Sequence, residues 1–138
     1  MNDKVLIVDD EVSILKGIKL NLGRNFNLTT ASSPEEALNE VEQNGPFAVV
    51  VSDMRMPGMD GAKMMRDIKK DHPKTLCILL TGHADFEFGG SQALQSGQLF
   101  KILNKPCSPE SLRNTIQAAF NSIAKSEEPE KKPPDMVL

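Results

Sequence analysis

Cysteine is scarce in this sequence: among 138 residues only Cys77 and Cys107 carry thiols. Two are too few for a disulfide framework or a four-thiolate zinc site. The only histidines, His72 and His83, do not join them at any common ligand spacing. Basic residues are not in excess either. Sixteen Lys and Arg stand against nineteen Asp and Glu, a formal net charge of -3. That balance argues against direct nucleic-acid binding, which normally calls for a basic face. No apolar run approaches the ~20 residues of a membrane span, and no signal peptide precedes the first strand-like run. These absences leave a soluble cytoplasmic domain as the expectation, with no membrane contact. Its length is about that of one domain, enough to bury a core without metal or disulfide staples.

Short apolar runs alternate with longer amphipathic stretches. The runs are Val5–Val8, Phe26–Thr30, Phe47–Val51, Leu76–Leu80 and Leu99–Leu103. Three are nearly unbroken Val, Ile and Leu, the composition of strands covered on both faces. The Phe26 and Leu99 runs alternate more, as edge strands do. Helix signals lie between them. Leu15, Ile18 and Leu22 repeat at three and four residues. Ser33-Pro34-Glu35-Glu36 combines an N-cap serine, a first-turn proline and a glutamate placed for a capping box. Asp60 caps a helix bearing Met64, Met65 and Ile68, and Ser108-Pro109-Glu110 opens a last one with Leu112, Ile116, Phe120 and Ile123. A further helix is expected near Asp85 to Ser96, weakened by Gly89-Gly90 in its middle.

Five strands alternating with five helices predict an α/β fold, a doubly wound five-stranded parallel sheet. The domain is expected over 1–124. Residues 125–138 are charged, proline-bearing and aperiodic, and read as a linker or tail.

In such sheets the ligand sits beyond the carboxyl ends of the strands. Asp9-Asp10-Glu11 follow the first run, Ser52-Asp53 the third, Thr81-Gly82 the fourth and Asn104-Lys105-Pro106 the fifth. If strands one and three are neighbours, Asp9, Asp10 and Asp53 converge. Three carboxylates in one crevice either protonate or collect a hard cation, and Mg²⁺ suits oxygen ligands. Lys105 and Thr81 then bring an amine and a hydroxyl to where phosphoryl oxygens would lie. Each residue taken singly has a plainer role: Asp10 a helix cap, Lys105 a solvated surface charge, Thr81 a turn residue. Their arrival in order at four strand ends is what favours a site.

These segments resemble the receiver domain of two-component response regulators, of the chemotaxis-regulator type. The matching residues are Val5 to Asp10 with Glu11, then Asp53-Met54-Arg55-Met56-Pro57-Gly58-Met59-Asp60-Gly61, Thr81-Gly82 and Lys105-Pro106. The resemblance implies a flavodoxin-like sheet of order 2-1-3-4-5. It implies that Asp53 accepts a phosphoryl group from a histidine kinase or phosphotransfer protein. Asp9, Asp10 and Asp53 would hold Mg²⁺ together with the Arg55 backbone carbonyl. Thr81 would be the switch hydroxyl, and Lys105 the phosphoryl contact before a cis-proline. Such a domain is a phospho-acceptor switch and not a turnover enzyme, although it assists its own phosphotransfer and dephosphorylation. An effector domain beyond the tail, and a homodimer through the 85–96 helix, the fifth strand and the last helix, belong to the same expectation.

One position departs from the family. The switch aromatic normally three residues before the lysine is Ile102 here, and Phe100, two residues earlier, is expected on the same face. Output is therefore expected through backbone reordering of residues 82–98. A degenerate receiver serving only as an interaction module is the alternative that this departure leaves. A haloacid-dehalogenase-type phosphatase would want two acids spaced by one residue after the first strand, and a capping insertion. A flavin site would want a phosphate-cradling first loop, where this one is acidic.

Overall fold

The computed structural model describes residues 2–82 and 99–127. Its elements alternate as the apolar runs predict: β1 (Lys4–Val8), α1 (Val12–Leu22), β2 (Asn27–Ala31), α2 (Pro34–Asn44), β3 (Val49–Asp53), α3 (Gly61–Asp71), β4 (Leu76–Thr81), β5 (Lys101–Asn104) and α4 (Pro109–Glu127). The strands form one parallel sheet in the order β2-β1-β3-β4-β5. This is the expected doubly wound fold, with four helices among the described residues. The helix expected near 85–96, and the proposed reordering of 82–98, fall almost wholly outside them.

The central strands explain why both faces are covered. Leu6, Val8, Val50, Cys77 and Leu79 point to one layer, where Ala37, Val41, Met64, Met65 and Ile68 of α2 and α3 cover them. Val5, Ile7, Val49, Val51, Ile78 and Leu80 point to the other, against Leu15 and Leu22 of α1 and Leu112, Ile116 and Ala119 of α4. Burying apolar side chains on both faces contributes roughly 25 cal/mol per Å² removed from water, so a polar residue on these strands is expensive unless it is paired. The rings of Phe26 and Phe120 stack at 6.0 Å where α4 closes the edge of the second layer.

Local signals end the helices largely as their chemistry dictates. Ser33 Oγ accepts from the Glu36 amide at 3.0 Å. Glu36, however, reaches past the cap residue, and its Oε2 takes the Ser32 amide and hydroxyl at 3.1 and 2.9 Å. The reciprocal contact of the capping box is thus made one residue further upstream. Asp60 Oδ1 accepts from the Lys63 amide at 2.7 Å, and Ser108 Oγ from the Ser111 amide at 3.1 Å. Helix α4 continues through Lys125, Ser126 and Glu127, into the stretch expected to be tail. Lys125 in its last turn is favourable to the helix dipole, and Ser126 Oγ donates to the Ile123 carbonyl at 2.9 Å.

At β5 one expectation is corrected. Ile102 packs into the α2/α3 layer, whereas Phe100 packs with Leu103 into the α1/α4 layer. Phe100 precedes the strand, so the two-residue alternation that would have put it on the Ile102 face does not extend to it. Its amide instead donates to the Cys77 carbonyl at 2.7 Å. Phe100 therefore does not substitute for the aromatic that Ile102 replaces.

Candidate functional site

Strands β1 and β3 are neighbours, with Val8 opposite Ser52. The residues that follow them, Asp9 and Asp53, therefore emerge side by side at the carboxyl end of the sheet. Asp10 joins them from the turn into α1. One ligand atom from each of the three carboxylates can be chosen so that all lie within 4.8 Å of one another. Asp9 is 1% exposed and Asp53 7%, while Asp10 faces solvent. The fourth and fifth strands complete the ring. Thr81, 2% exposed, ends β4 opposite Asn104, and its carbonyl accepts from the Lys105 amide at 2.9 Å. That bond fixes the start of the Lys105 side chain, whose Nζ lies 3.0 Å from Asp53 Oδ1 and 3.8 Å from Asp9 Oδ2. The Lys105–Pro106 peptide is cis.

The two buried carboxylates are held differently. Asp9 Oδ1 accepts from the Glu11 amide at 2.9 Å. Asp9 Oδ2 is buried and has no hydrogen-bond partner among the described residues. Burial is the largest influence on Asp9 and pushes its carboxyl above the ordinary 3.8, aided by the charges of Asp53 and Asp10 and opposed by the Glu11 amide and Lys105. For Lys105, burial alone would lower the ammonium. The hydrogen bond and charge of Asp53, with Asp9 and Glu11 beyond it, outweigh that and raise its pKa. Asp10 does not cap α1: the N-cap is Glu11, whose side chain makes no capping bond.

A lone buried acceptor costs roughly 1–3 kcal/mol, and a buried charge more. An oxygen so placed, amid three carboxylates, is a donor set for a hard cation. Carboxylate oxygens with room for water suit Mg²⁺.

The loop after Asp53 turns through Gly58, at a φ of 88° where a side chain would be strained, and enters α3 at Gly61. Arg55, the residue expected to offer a backbone carbonyl, lies exposed in this loop two positions past Asp53. Gly61 has a tighter reason to be glycine than a turn. A Cβ there would stand 2.3 Å from the Asp53 carbonyl oxygen. Reading the sequence for strand ends located Asp9, Asp10, Asp53, Thr81 and Lys105 but assigned no part to Ser52. Its side chain is fully buried and donates to the Asp53 carbonyl at 2.8 Å. The available signal was a single hydroxyl after Val49-Val50-Val51, in a strand buried on both faces.

Comparison with known proteins agrees with this geometry. The family model for the response regulator receiver domain matches residues 5–117. The DNA-binding transcriptional regulator NtrC of Klebsiella pneumoniae is 34% identical over 128 residues, which is 92% of this chain and 27% of that protein. The sensor kinase CckA of Brucella abortus is 34% identical over 115 residues, 82% of this chain and 12% of that protein. Among solved structures, a response regulator receiver domain protein from Clostridium thermocellum superposes with a TM-score of 0.81 at 36% identity, covering 90% of this chain and 98% of that one. The chain belongs to the response regulator receiver domain family. It is a signalling domain of two-component type, and it spans only a minor part of the length of these curated relatives. No helix among the described residues is long and apolar enough to cross a membrane.

Proposed function

We propose that Asp53 accepts a phosphoryl group from the phosphohistidine of a histidine kinase or phosphotransfer protein, or from a small donor such as acetyl phosphate. The observation that carries this reading is the Lys105 ammonium 3.0 Å from Asp53 Oδ1, inside a cluster of three carboxylates. An Asp53 oxygen forms the new P–O bond as the donor's P–N bond breaks, and the departing imidazole keeps its electron pair and takes a proton. Lys105 keeps the attacking carboxylate in place and then pairs with the phosphoryl oxygens that appear beside it. Thr81, at the end of the next strand, offers its hydroxyl to the same oxygens and so senses the modification. Asp9, Asp10 and Asp53, with the Arg55 carbonyl, would hold Mg²⁺. When bound, that ion neutralises charge on the transferring phosphoryl group.

The role of the intact protein is part of the same proposal. It is a cytoplasmic switch whose residues 125–138, the first three of them in the last turn of helix α4, link the domain to an effector, as the name of the NtrC relative suggests for that protein. Strand β5 and helix α4 belong to its output and homodimer surface; the helix expected near 85–96, the third part of that surface, lies outside the described residues. Intact-mass spectrometry after acetyl phosphate treatment tests the acceptor. One phosphoryl adduct, mapped to Asp53 and lost on chelating Mg²⁺ or in Asp53→Asn, is expected. An adduct of equal yield in Asp53→Asn, mapped elsewhere, overturns the assignment.

A further inference from the structure

Ser52 is a hydroxyl in a strand that is otherwise valine up to the acid, and it is fully buried. A buried hydroxyl must give its single proton to an acceptor or destabilise the fold. Ser52 Oγ gives it to the carbonyl of the next residue, Asp53, at 2.8 Å, with Met56 Sδ at 4.0 Å on its other side. The choice of that carbonyl follows from where the sheet ends. Pairing of β3 with β1 stops at Val8 opposite Ser52, so the Asp53 peptide lies past the last rung on that side. On the β4 side the Met54 amide still donates to the Leu80 carbonyl at 2.9 Å. The Asp53–Met54 peptide is thus held to the sheet through its amide, on the β4 side.

Two other contacts close on this peptide and the one after it. The Gly61 amide donates to the Met54 carbonyl at 2.8 Å. The missing Gly61 side chain leaves room for the Asp53 carbonyl and for Ser52 Oγ, which an added Cβ would approach to 2.3 and 3.1 Å. The start of α3 is pressed against the acceptor, and the serine hydroxyl sits in the joint.

From this arrangement we infer that Ser52 is a positioning residue for Asp53: its hydroxyl locks the Asp53 peptide plane and so aims the carboxylate at Lys105 and at Asp9 and Asp10. The inference rests on the acceptor reading of Asp53 for its effect on phosphorylation, but not for its effect on the carboxylate cluster. Without the hydroxyl the peptide can rock about its one remaining edge. Asp53 then spends part of its time out of register with Lys105. The loop carrying Arg55 shifts with it, because that loop begins at the same peptide.

The same chemistry occurs at the opposite end of the sheet and supplies the control. Thr75 Oγ1, also buried, donates to the Phe47 carbonyl at 2.6 Å, remote from the carboxylates. Ser52→Ala and Thr75→Ala each remove one buried hydroxyl-to-carbonyl bond. Both should lower stability to a similar extent in urea unfolding. Only Ser52→Ala should weaken Mg²⁺ binding by calorimetry and slow the initial rate of Asp53 phosphorylation by acetyl phosphate, each by about fivefold, the equivalent of one ordinary hydrogen bond. Ser52→Thr, which keeps the hydroxyl, should recover most of the Mg²⁺ affinity. If Ser52→Ala matches Thr75→Ala in both Mg²⁺ affinity and rate while the parent is phosphorylated on Asp53, the positioning role is wrong and the acceptor reading stands. If the parent takes no phosphoryl group on Asp53 yet Ser52→Ala alone loses Mg²⁺ affinity, the acceptor reading falls and the positioning role holds.

Discussion

Asp9 Oδ2 lies 3.8 Å from Lys105 Nζ, near enough to feel its charge but too far to share its protons. One of the three Lys105 N–H groups bonds Asp53 Oδ1, at 3.0 Å. The ammonium thus supports one carboxylate fully and the other only electrostatically, which leaves a buried oxygen of Asp9 without a donor among the described residues. A domain that holds such a group carries a stability cost.

Asp9→Asn should therefore stabilise the metal-free protein, by roughly 1–3 kcal/mol, the cost of a buried polar group left unsatisfied. Because burial raises the Asp9 carboxyl above its unfolded value, the folded chain binds that proton more readily than the unfolded chain does. The penalty is then fully present above the folded pKa and is relieved as pH falls through it toward the ordinary 3.8. Urea unfolding of parent and variant from about pH 7 down to about pH 4 should show the difference shrinking on acidification. A variant less stable than the parent at neutral pH without metal would contradict this.

Lys105→Met should separate the two duties of the lysine. Phosphoryl incorporation should fall roughly 10- to 100-fold, the worth of a charge-assisted hydrogen bond made to the transferring group. Mg²⁺ affinity should instead be kept or rise, since a competing cation has been taken from among the carboxylates. Calorimetry and intact-mass kinetics on the same preparation check both halves. Parallel losses of metal binding and phosphorylation would show that the lysine only maintains structure.

The two thiols should differ in reactivity. Burial pushes the Cys77 thiol up to about 12, with Lys69 pulling weakly the other way, and no part of the residue is exposed. Cys107 is half-buried, in the loop that follows Lys105. Alkylation of the native protein at mildly alkaline pH should label Cys107 and spare Cys77, with the second label appearing only on denaturation. Rapid native labelling at Cys77, located by peptide mass, would show that the core around β4 opens readily.

What the sequence by itself determined is whatever depends on neighbours along the chain. Unbroken runs such as Val49-Val50-Val51 specify strands covered on both faces, since no other element buries consecutive residues in opposite layers. Ser33, Asp60 and Ser108 specify helix starts because a cap bonds to an amide three residues on. Strand ends likewise marked Asp9, Asp53, Thr81 and Lys105 as candidates. Only the tertiary structure decided how these residues divide the work. Which oxygen of Asp9 is left without a donor depends on the 3.0 Å and 3.8 Å reach of one lysine from another strand. That Phe100 leaves the face of Ile102 depends on where β5 begins to pair with β4. The parts of Ser52 and Gly61 depend on the β1–β3 ladder stopping one residue short of Asp53, so that its carbonyl takes the Ser52 hydroxyl while the turn into α3 brings Gly61 against both. Periodicity reports which way a side chain faces, whereas hydrogen-bond partnership is a matter of tenths of an ångström between segments that are distant in the chain.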